Sequence, residues 1–437
     1  MPYCVQPKSH IRRVAVIGCG YVGLALVVAL ADKMPVLAFD IDADKITALQ
    51  QGQDVSGEWT TKQLSHANIV FTHQPQNLSQ SDFYILAIPT PVDAGKQPDL
   101  TLLERACRQV GAYLSPGDIV VIESTVYPGV TEDLCALWLA QASDGLQCGR
   151  DFSIAYSPER INPGDQTHQM NQVIKVIAAQ DKATLDVLAA VYGAMVGKKQ
   201  LFRAESIQVA EMAKVLENSQ RDLNIALINE IAMICHKTNI DTHAVLETAA
   251  TKWNFSPYSP GLVGGHCIGV DPYYLAYRAQ VDGHYPEVLL AGRRINDSMA
   301  EYVAQQTVKL LLDSGVELHC ARVAVLGVAY KENCRDVRNS QAVRLYQQLK
   351  KYCHQALLHD PVASPQQIAD LYQLELMRDQ DLQQLDAIIL AVPHQDYLNM
   401  SVDGWSEKLS GARLLVDVKS VLDHQALMKQ EIQVWRL

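Results

Sequence analysis

Near the middle of the 437-residue chain one cysteine sits in a run of glycines, Gly261-Leu262-Val263-Gly264-Gly265-His266-Cys267-Ile268-Gly269-Val270-Asp271. Glycines let backbone amides crowd a ligand, and a carboxylate follows the thiol four residues on. A thiolate in such a loop attacks an aldehyde to give a thiohemiacetal, which is a hydride donor; a second transfer leaves a thioester for water to hydrolyse. His266 and Cys267 would also suit a metal, although no second Cys/His pair with zinc spacing accompanies them. A structural thiol is the third reading. Upstream, Lys214 and Asn218 stand four apart on a helical stretch and share a face. An ammonium beside an amide could stabilise an oxyanion or hold a water; it could equally be a solvated lysine beside a surface amide.

A second chemical signal lies near the start. Gly18-Cys19-Gly20-Tyr21-Val22-Gly23 follows an apolar strand and opens an apolar helix. In a GxGxxG turn the first glycine makes the bend, and the second lets the backbone approach a pyrophosphate. The third allows close helix–strand packing, and the helix N-terminus attracts the anion. Asp40, at the end of the next strand and seventeen residues after Gly23, is placed to accept from a ribose diol and to repel the extra phosphate of NADP. Thr90, in Ile88-Pro89-Thr90-Pro91, and Thr125, in Glu123-Ser124-Thr125-Val126, follow later strands, where α/β sheets bind ligands. Each threonine could also be a plain turn former.

The elements that must position these groups follow from periodicity. Strands are expected at 14–18, 36–40, 83–88, 119–123 and 153–156, whose near-continuous apolar character suits a parallel sheet covered on both faces. Residues 205–237 contain no glycine or proline, and Leu216, Leu223, Leu227, Ile231 and Ile234 recur at helical spacing. This predicts a helix of roughly 50 Å that bridges lobes and offers a surface to a second subunit, or else a core helix with a kink. Residues 254–274, punctuated by glycine and proline, read as a shaped loop, and a second α/β pattern has strands at 323–329, 355–360, 387–392 and 414–418. The expected architecture is α/β: two Rossmann-like doubly wound domains, at 1–204 and 319–437, joined by a long central helix and helical middle domain at 205–318.

Composition narrows the partners. The net charge of −11 is spread along the chain, which leaves no basic footprint for nucleic acid and no basic amphipathic face for a membrane. An anionic substrate would need local cations. Ten cysteines without a C-x-x-C spacing read as reduced thiols of a cytoplasmic protein. Arg12 and Arg13 before the uncharged run 14–31 trace the outline of an export signal or a short membrane helix, but the glycines interrupting that run have the better explanation just given.

Taken in order, the glycine fingerprint, IPTP, ESTVYPG, YSPER (156–160), Lys214 with Asn218, GGHCIGVD (264–271) and Lys331-Glu332-Asn333 with Arg338 resemble the UDP-glucose/GDP-mannose dehydrogenase family over nearly the whole chain. Within it, SPERINPGD (157–165), KWNF (252–255) and PGLVGGHCIGVDPYYL (260–275) are most similar to UDP-N-acetylglucosamine 6-dehydrogenases, which supply uronic acids for Vi-type capsule and O-antigen polysaccharides. The resemblance implies a four-electron oxidation of a UDP-sugar with two NAD⁺. It makes Cys267 the nucleophile, Lys214 and Asn218 oxyanion stabilisers, and Asp271 a helper in proton transfer or hydrolysis. Glu159 and Thr125 would assist with water. Arg160, Gly264 and Lys331 would join Glu159, Lys214 and Asn218 at the substrate, and Arg338 would join Thr90 and Thr125 at the cofactor. It also implies a homodimer through the central helix. UDP-glucose members carry an arginine-containing substrate segment upstream of the cysteine loop, where this chain has Thr251-Lys252-Trp253-Asn254-Phe255. That departure points away from UDP-glucose as the preferred substrate; UDP-GalNAc, UDP-ManNAc and UDP-glucose are the alternatives. A single-hydride hydroxyacid-type dehydrogenase would need neither the cysteine loop nor 319–437, and a non-catalytic NAD-binding protein would be free to lose Lys214, Asn218, Cys267 or Asp271.

Overall fold

The computed structural model describes residues 7–8, 11–54, 57–160 and 172–437, so positions 161–165 of the SPERINPGD motif lie outside the described residues. The chain divides into two compact units, Met1–Glu217 with Tyr273–His284 and Asn218–Pro272 with Tyr285–Leu437.

The first unit is built on β1 (Val14–Ile17), β2 (Val36–Phe39), β3 (Ile69–Thr72), β4 (Phe83–Leu86), β5 (Ile119–Ile122), β6 (Ser153–Tyr156), β7 (Lys175–Ala179) and β8 (Leu201–Arg203). Their order is β3-β2-β1-β4-β5-β6-β7-β8, and every pairing is parallel except β6 with β7. The central strands are buried on both faces: β1 sends Ala15 and Ile17 into one apolar layer and Val14 and Val16 into the other. The apolar run 14–31 is therefore core, as β1 and the helix Tyr21–Ala31. Strand order reverses at β1, which pairs with both β2 and β4, so a crevice opens beyond the carboxyl ends of β1 and β4.

The second unit carries β9 (Arg322–Leu326), β10 (Gln355–His359), β11 (Leu385–Leu390), β12 (Leu409–Asp417) and β13 (Gln433–Arg436) in the order β10-β9-β11-β12-β13, all parallel. Its switch point lies between β9 and β11. The architecture is thus two doubly wound sheets with a helical region between them in sequence.

The long helix runs Ile207–Thr238, 32 residues, against the expected 205–237. The division of the chain falls inside it, between Glu217 and Asn218. Within the second unit it is fastened to the helix Glu287–Asp313 by buried polar groups. Arg293 donates to Asp222 at 2.5 Å, and Asn229 donates to Asn296 at 2.8 Å. Asn229 also exchanges two hydrogen bonds with the backbone of Gly261, at 2.8 and 3.1 Å, which anchors the start of the cysteine loop. The loop expected over 254–274 ends sooner, because a helix begins at Asp271. Pro272 does not prevent this, since the first turn of a helix has no need of its N–H.

Candidate active site

Gly18, Gly20, Tyr21, Val22, Gly23, Asp40, Thr90, Thr125, Glu159, Arg160 and Lys214 belong to the first unit; Asn218, Gly264, Cys267, Asp271, Lys331 and Arg338 belong to the second.

At the first switch point, Gly18 has φ +96°, and a Cβ there would meet Ala87 O at 2.6 Å. A Cβ on Gly23 would fall 1.7 Å from Gly18 O, so helix and turn touch backbone to backbone. Gly20 is different: nothing lies within 4 Å of its added Cβ. The helix Tyr21–Ala31 starts at this open spot with no side-chain cap and no acidic residue in its first turn. The positive end of its dipole therefore lies beside open space at Gly20, as an anion would require. Asp40, 8% exposed, accepts from Cys19 N (2.9 Å), Asp42 N (3.0 Å) and Lys45 Nζ (3.0 Å). A carboxylate has about four acceptor positions, so room for a further donor remains. The residues fit a dinucleotide. Thr90 Oγ1 donates to Thr125 O at 2.7 Å, tying the loops after β4 and β5 together beside this crevice.

Elsewhere in the first unit, Glu159 Oε1 accepts from Arg160 N at 2.6 Å and Glu159 Oε2 from Lys175 Nζ at 3.1 Å. Arg160 is ion-paired with Glu217 on the long helix. Lys214 is 7% exposed, and its ammonium forms no ion pair or hydrogen bond among the described residues. The side chain is thus packed along most of its length rather than lying on an open surface.

In the second unit the cysteine loop is folded onto the segment after β9. Gly264 could not carry a side chain, because its Cβ would stand 2.7 Å from Asn339 O; Gly265, at φ +81°, would strike the Tyr330 ring at 2.6 Å. Asn339 Nδ2 donates to Gly265 O at 2.9 Å. The Cys267 carbonyl accepts from Val270 N and Asp271 N at 3.0 and 2.8 Å, winding the loop into the helix that Asp271 opens. Asp271 is 2% exposed and accepts from Asn218 Nδ2 at 2.5 Å. The thiol, the carboxylate and the amide expected to act together are thus assembled in one unit.

His266 lies beside the thiol, with Nδ1 3.4 Å from Asp336 Oδ2. Burial opposes its charge, yet Asp336 and Cys267 together hold its imidazolium up to about 9. Arg338 forks onto Asp336, with Nη2 at 2.5 Å and Nε at 3.0 Å. Against its burial, the Asp336 carboxyl is held far below the usual range by His266 and Arg338. Lys331 lines a small cleft with Gly264, Tyr330, Val392 and Lys419, of about 40 Å³. This cleft sits where the second switch point predicts, beyond β9, β11 and β12, and its charged lining is Lys331, Lys419 and Glu332.

Three residues here were not singled out from the sequence. His266 was weighed only as a metal ligand. Lys419 follows β12 directly, so the strand-end rule that found Thr90 would have found it. Lys175 carried no signal, because a charged residue heading a short apolar run reads as surface.

The chain matches the NAD binding domain of the UDP-glucose/GDP-mannose dehydrogenase family over residues 12–196, the central domain over 208–298 and the UDP binding domain over 324–424. It is 44% identical over 426 residues to Protein CapL of Staphylococcus aureus, covering 98% of this chain and 100% of that one. It is 43% identical over 415 residues to a UDP-N-acetyl-D-glucosamine 6-dehydrogenase of Salmonella typhi, covering 94% and 96%. Among solved structures, a UDP-D-ManNAc dehydrogenase from Pyrococcus horikoshii superimposes with a TM-score of 0.84 at 28% identity, covering 94% and 96%.

Proposed function

The chain belongs to the UDP-glucose/GDP-mannose dehydrogenase family, and from that premise we propose that it oxidises the 6-hydroxyl of a UDP-N-acetylhexosamine, foremost UDP-GlcNAc, to the carboxylate, for surface polysaccharide synthesis. The observation that carries the chemistry is the cysteine loop, where Cys267, Asp271 and Asn218 are drawn together by one 2.5 Å hydrogen bond and one loop-to-helix turn. The glucosamine assignment is supported by 43% identity to the Salmonella typhi enzyme against 28% to the mannosamine structure.

Gly18, Gly20, Gly23, Tyr21 and Val22 would hold NAD at its pyrophosphate, Asp40 at a ribose, and Thr90 and Thr125 at the rim. Bound there, NAD⁺ takes up hydride from the substrate carbon in each of two oxidations. Lys331 and Lys419, with the Gly264 backbone, would hold the substrate's diphosphate. Cys267 attacks the C6 aldehyde and keeps it as a thiohemiacetal, with His266 beside it. Lys214 and the second N–H of Asn218 stabilise the oxyanion. Asp271, fixed by Asn218, and Glu159, aided by Thr125, direct the water that releases the acid from its thioester. Arg160, ion-paired with Glu217, would contact the substrate, and Arg338, forked onto Asp336, would contact the cofactor. The functional division we adopt is 1–204 for cofactor, 205–318 for dimerisation and the cysteine, and 319–437 for the UDP group.

A homodimer through the long helix is part of this reading. It is supported by Val209 (48% exposed), Met212 (43%), Leu216 (56%), Leu227 (55%) and Ile234 (51%), an apolar stripe at helical spacing. No helix among the described residues is long and apolar enough to cross a membrane, and nine cysteines there are unbridged, which supports a cytoplasmic site of action. The test is NADH counted per sugar with UDP-GlcNAc, UDP-GalNAc, UDP-ManNAc and UDP-glucose. Two NADH per UDP-GlcNAc are expected, with kcat/KM roughly 10- to 200-fold above UDP-glucose. Equal or reversed specificity would reject the substrate assignment and leave the family untouched.

A further inference from the structure

The first unit holds a buried ionised cluster apart from the cysteine chemistry. Lys175, heading β7 and 4% exposed, donates to Glu123 Oε2 at 2.7 Å, to Glu159 Oε2 at 3.1 Å and to Pro158 O at 3.3 Å. Glu123, at the end of β5 and 3% exposed, accepts at its other oxygen from the fully buried Tyr192 hydroxyl at 2.6 Å. Tyr192 comes from the helix Lys182–Val196. A continuous hydrogen-bonded chain therefore runs from a buried phenol through Glu123 and Lys175 to Glu159, whose side chain is 11% exposed.

The composition of this chain is unusual for a strut. One carboxylate would neutralise Lys175; here two carboxylates share its ammonium in a low-dielectric place, and coupled carboxylates favour retention of an extra proton. Burial pushes Glu123 up to about 7, only partly opposed by Lys175. Lys175 is pulled down by its own burial but ends above its usual value, because both carboxylates favour the ammonium. Three further described groups lie at the cluster. Ser157 gives its hydroxyl to Val176 O, Tyr192 is a phenol held neutral by burial, and Arg160 is engaged by Glu217.

We propose that Lys175 is a positioning residue for Glu159 and the middle link of a proton relay to Glu123. The inference rests on Glu159 assisting the water that hydrolyses the thioester. As water attacks, its proton passes to the Glu159 carboxylate. Lys175 then gives one ammonium proton to Glu123 and takes the one from Glu159, so the ammonium is unchanged, Glu123 is neutral and Glu159 is again a base. The reverse shift returns the proton to solvent through Glu159 once the acid has left. No electrons move, and the only bonds exchanged are N–H and O–H.

The test uses the full-length enzyme with UDP-GlcNAc and NAD⁺, following pre-steady-state NADH, the pH profile of kcat, and the mass of the Cys267 peptide. Lys175→Met and Glu123→Gln should keep a burst of two NADH per subunit but lower kcat by about 10- to 100-fold, with KM changed far less and an acyl adduct accumulating on Cys267. The acidic limb of the profile should move in opposite directions. In Lys175→Met two carboxylates face each other without a cation, so the limb rises in pH. In Glu123→Gln one carboxylate keeps the cation to itself, so it falls. Lys175→Arg should restore most of the deacylation rate. A mere strut would change folding or all steps alike, without opposed limbs. If Lys175→Met does not fold, Glu123→Gln and Lys175→Arg carry the test. Unmoved limbs with wild-type deacylation in the folded variants would overturn the relay. Wild-type hydrolysis in Glu159→Gln would instead overturn the role of Glu159 itself.

Discussion

After β1, Gly18 donates its N–H to Phe39 O at 2.8 Å and Cys19 donates to Asp40 Oδ2 at 2.9 Å; after β9, Gly327 donates to His359 O at 2.9 Å and Val328 to Asp360 Oδ2 at 2.6 Å. Both turns follow the first strand of a doubly wound sheet, and both aspartates end its neighbour. The loops then part. Next to Gly20 there is open space, and Lys45, whose side chain is 37% exposed, is the last of the donors around Asp40. Around Asp360 the site is filled: Ala329 N, Val362 N, Ala363 N and the fully buried His394 all donate to it. The same turn is left open for a ligand in one unit and closed by the protein's own donors in the other. Topology and a strand-end aspartate do not by themselves make a dinucleotide site; what matters is which donors already occupy it.

The closed turn should be the more fragile. Gly327 has φ +83°, and an added Cβ would meet Val392 O at 2.3 Å. Gly327→Ala should therefore destabilise the second unit by about 3 kcal/mol or more, seen as a fall in denaturant midpoint. Asp360→Ala, which strands five donors, four of them buried, should cost about 3 kcal/mol without changing the KM for NAD⁺. Although burial opposes its charge, His394 and the backbone N–H groups hold Asp360 down to about 2. Its unfolded value is near 3.9, so its contribution is complete above pH ~4 and lost as pH falls toward 2. Acid titration should show that loss in the wild type and not in Asp360→Ala.

The open turn should behave in reverse. The Cβ that Gly20→Ala adds meets no atom within 4 Å, so the melting temperature should hold while the KM for NAD⁺ rises about tenfold or more, because the methyl group takes the pyrophosphate's approach. A large stability loss with unchanged KM would remove the contrast. The smallest effect is expected from Asp40→Ala, which removes the charge facing a 2′-phosphate and leaves Lys45 beside it. The ratio of kcat/KM for NAD⁺ over NADP⁺ should fall several-fold, and an unchanged ratio would take Asp40 out of the site.

Strands buried on both faces were readable because their apolar runs are nearly unbroken, as in β1, β4 and β5, whose residues are all 2% exposed or less. β3, β8 and β13 were not, since edge strands carry exposed or polar residues, such as Val70 at 42% and Phe202 at 58%. β7 begins with Lys175, a residue that reads as surface until its two carboxylate partners arrive from β5 and the loop after β6. The cysteine loop was legible from spacing alone, because glycine, thiol and carboxylate all lie within eight residues. The clasp of His266, Asp336 and Arg338 was not, since it joins segments about 70 residues apart through side chains that local pattern does not connect.

Covalent capture by Cys267 is tested most directly by counting NADH released per UDP-sugar with Cys267→Ala, alongside the wild type and Cys267→Ser. Folding of each variant is checked by its melting temperature. Without the thiol the aldehyde has no adduct to be held in, so net conversion to the acid should fall by at least about 10³-fold. Cys267→Ser should slow or stall at the covalent stage, because an alkoxide leaves less readily than a thiolate. Two NADH per sugar from Cys267→Ala at near wild-type rate would contradict the covalent mechanism.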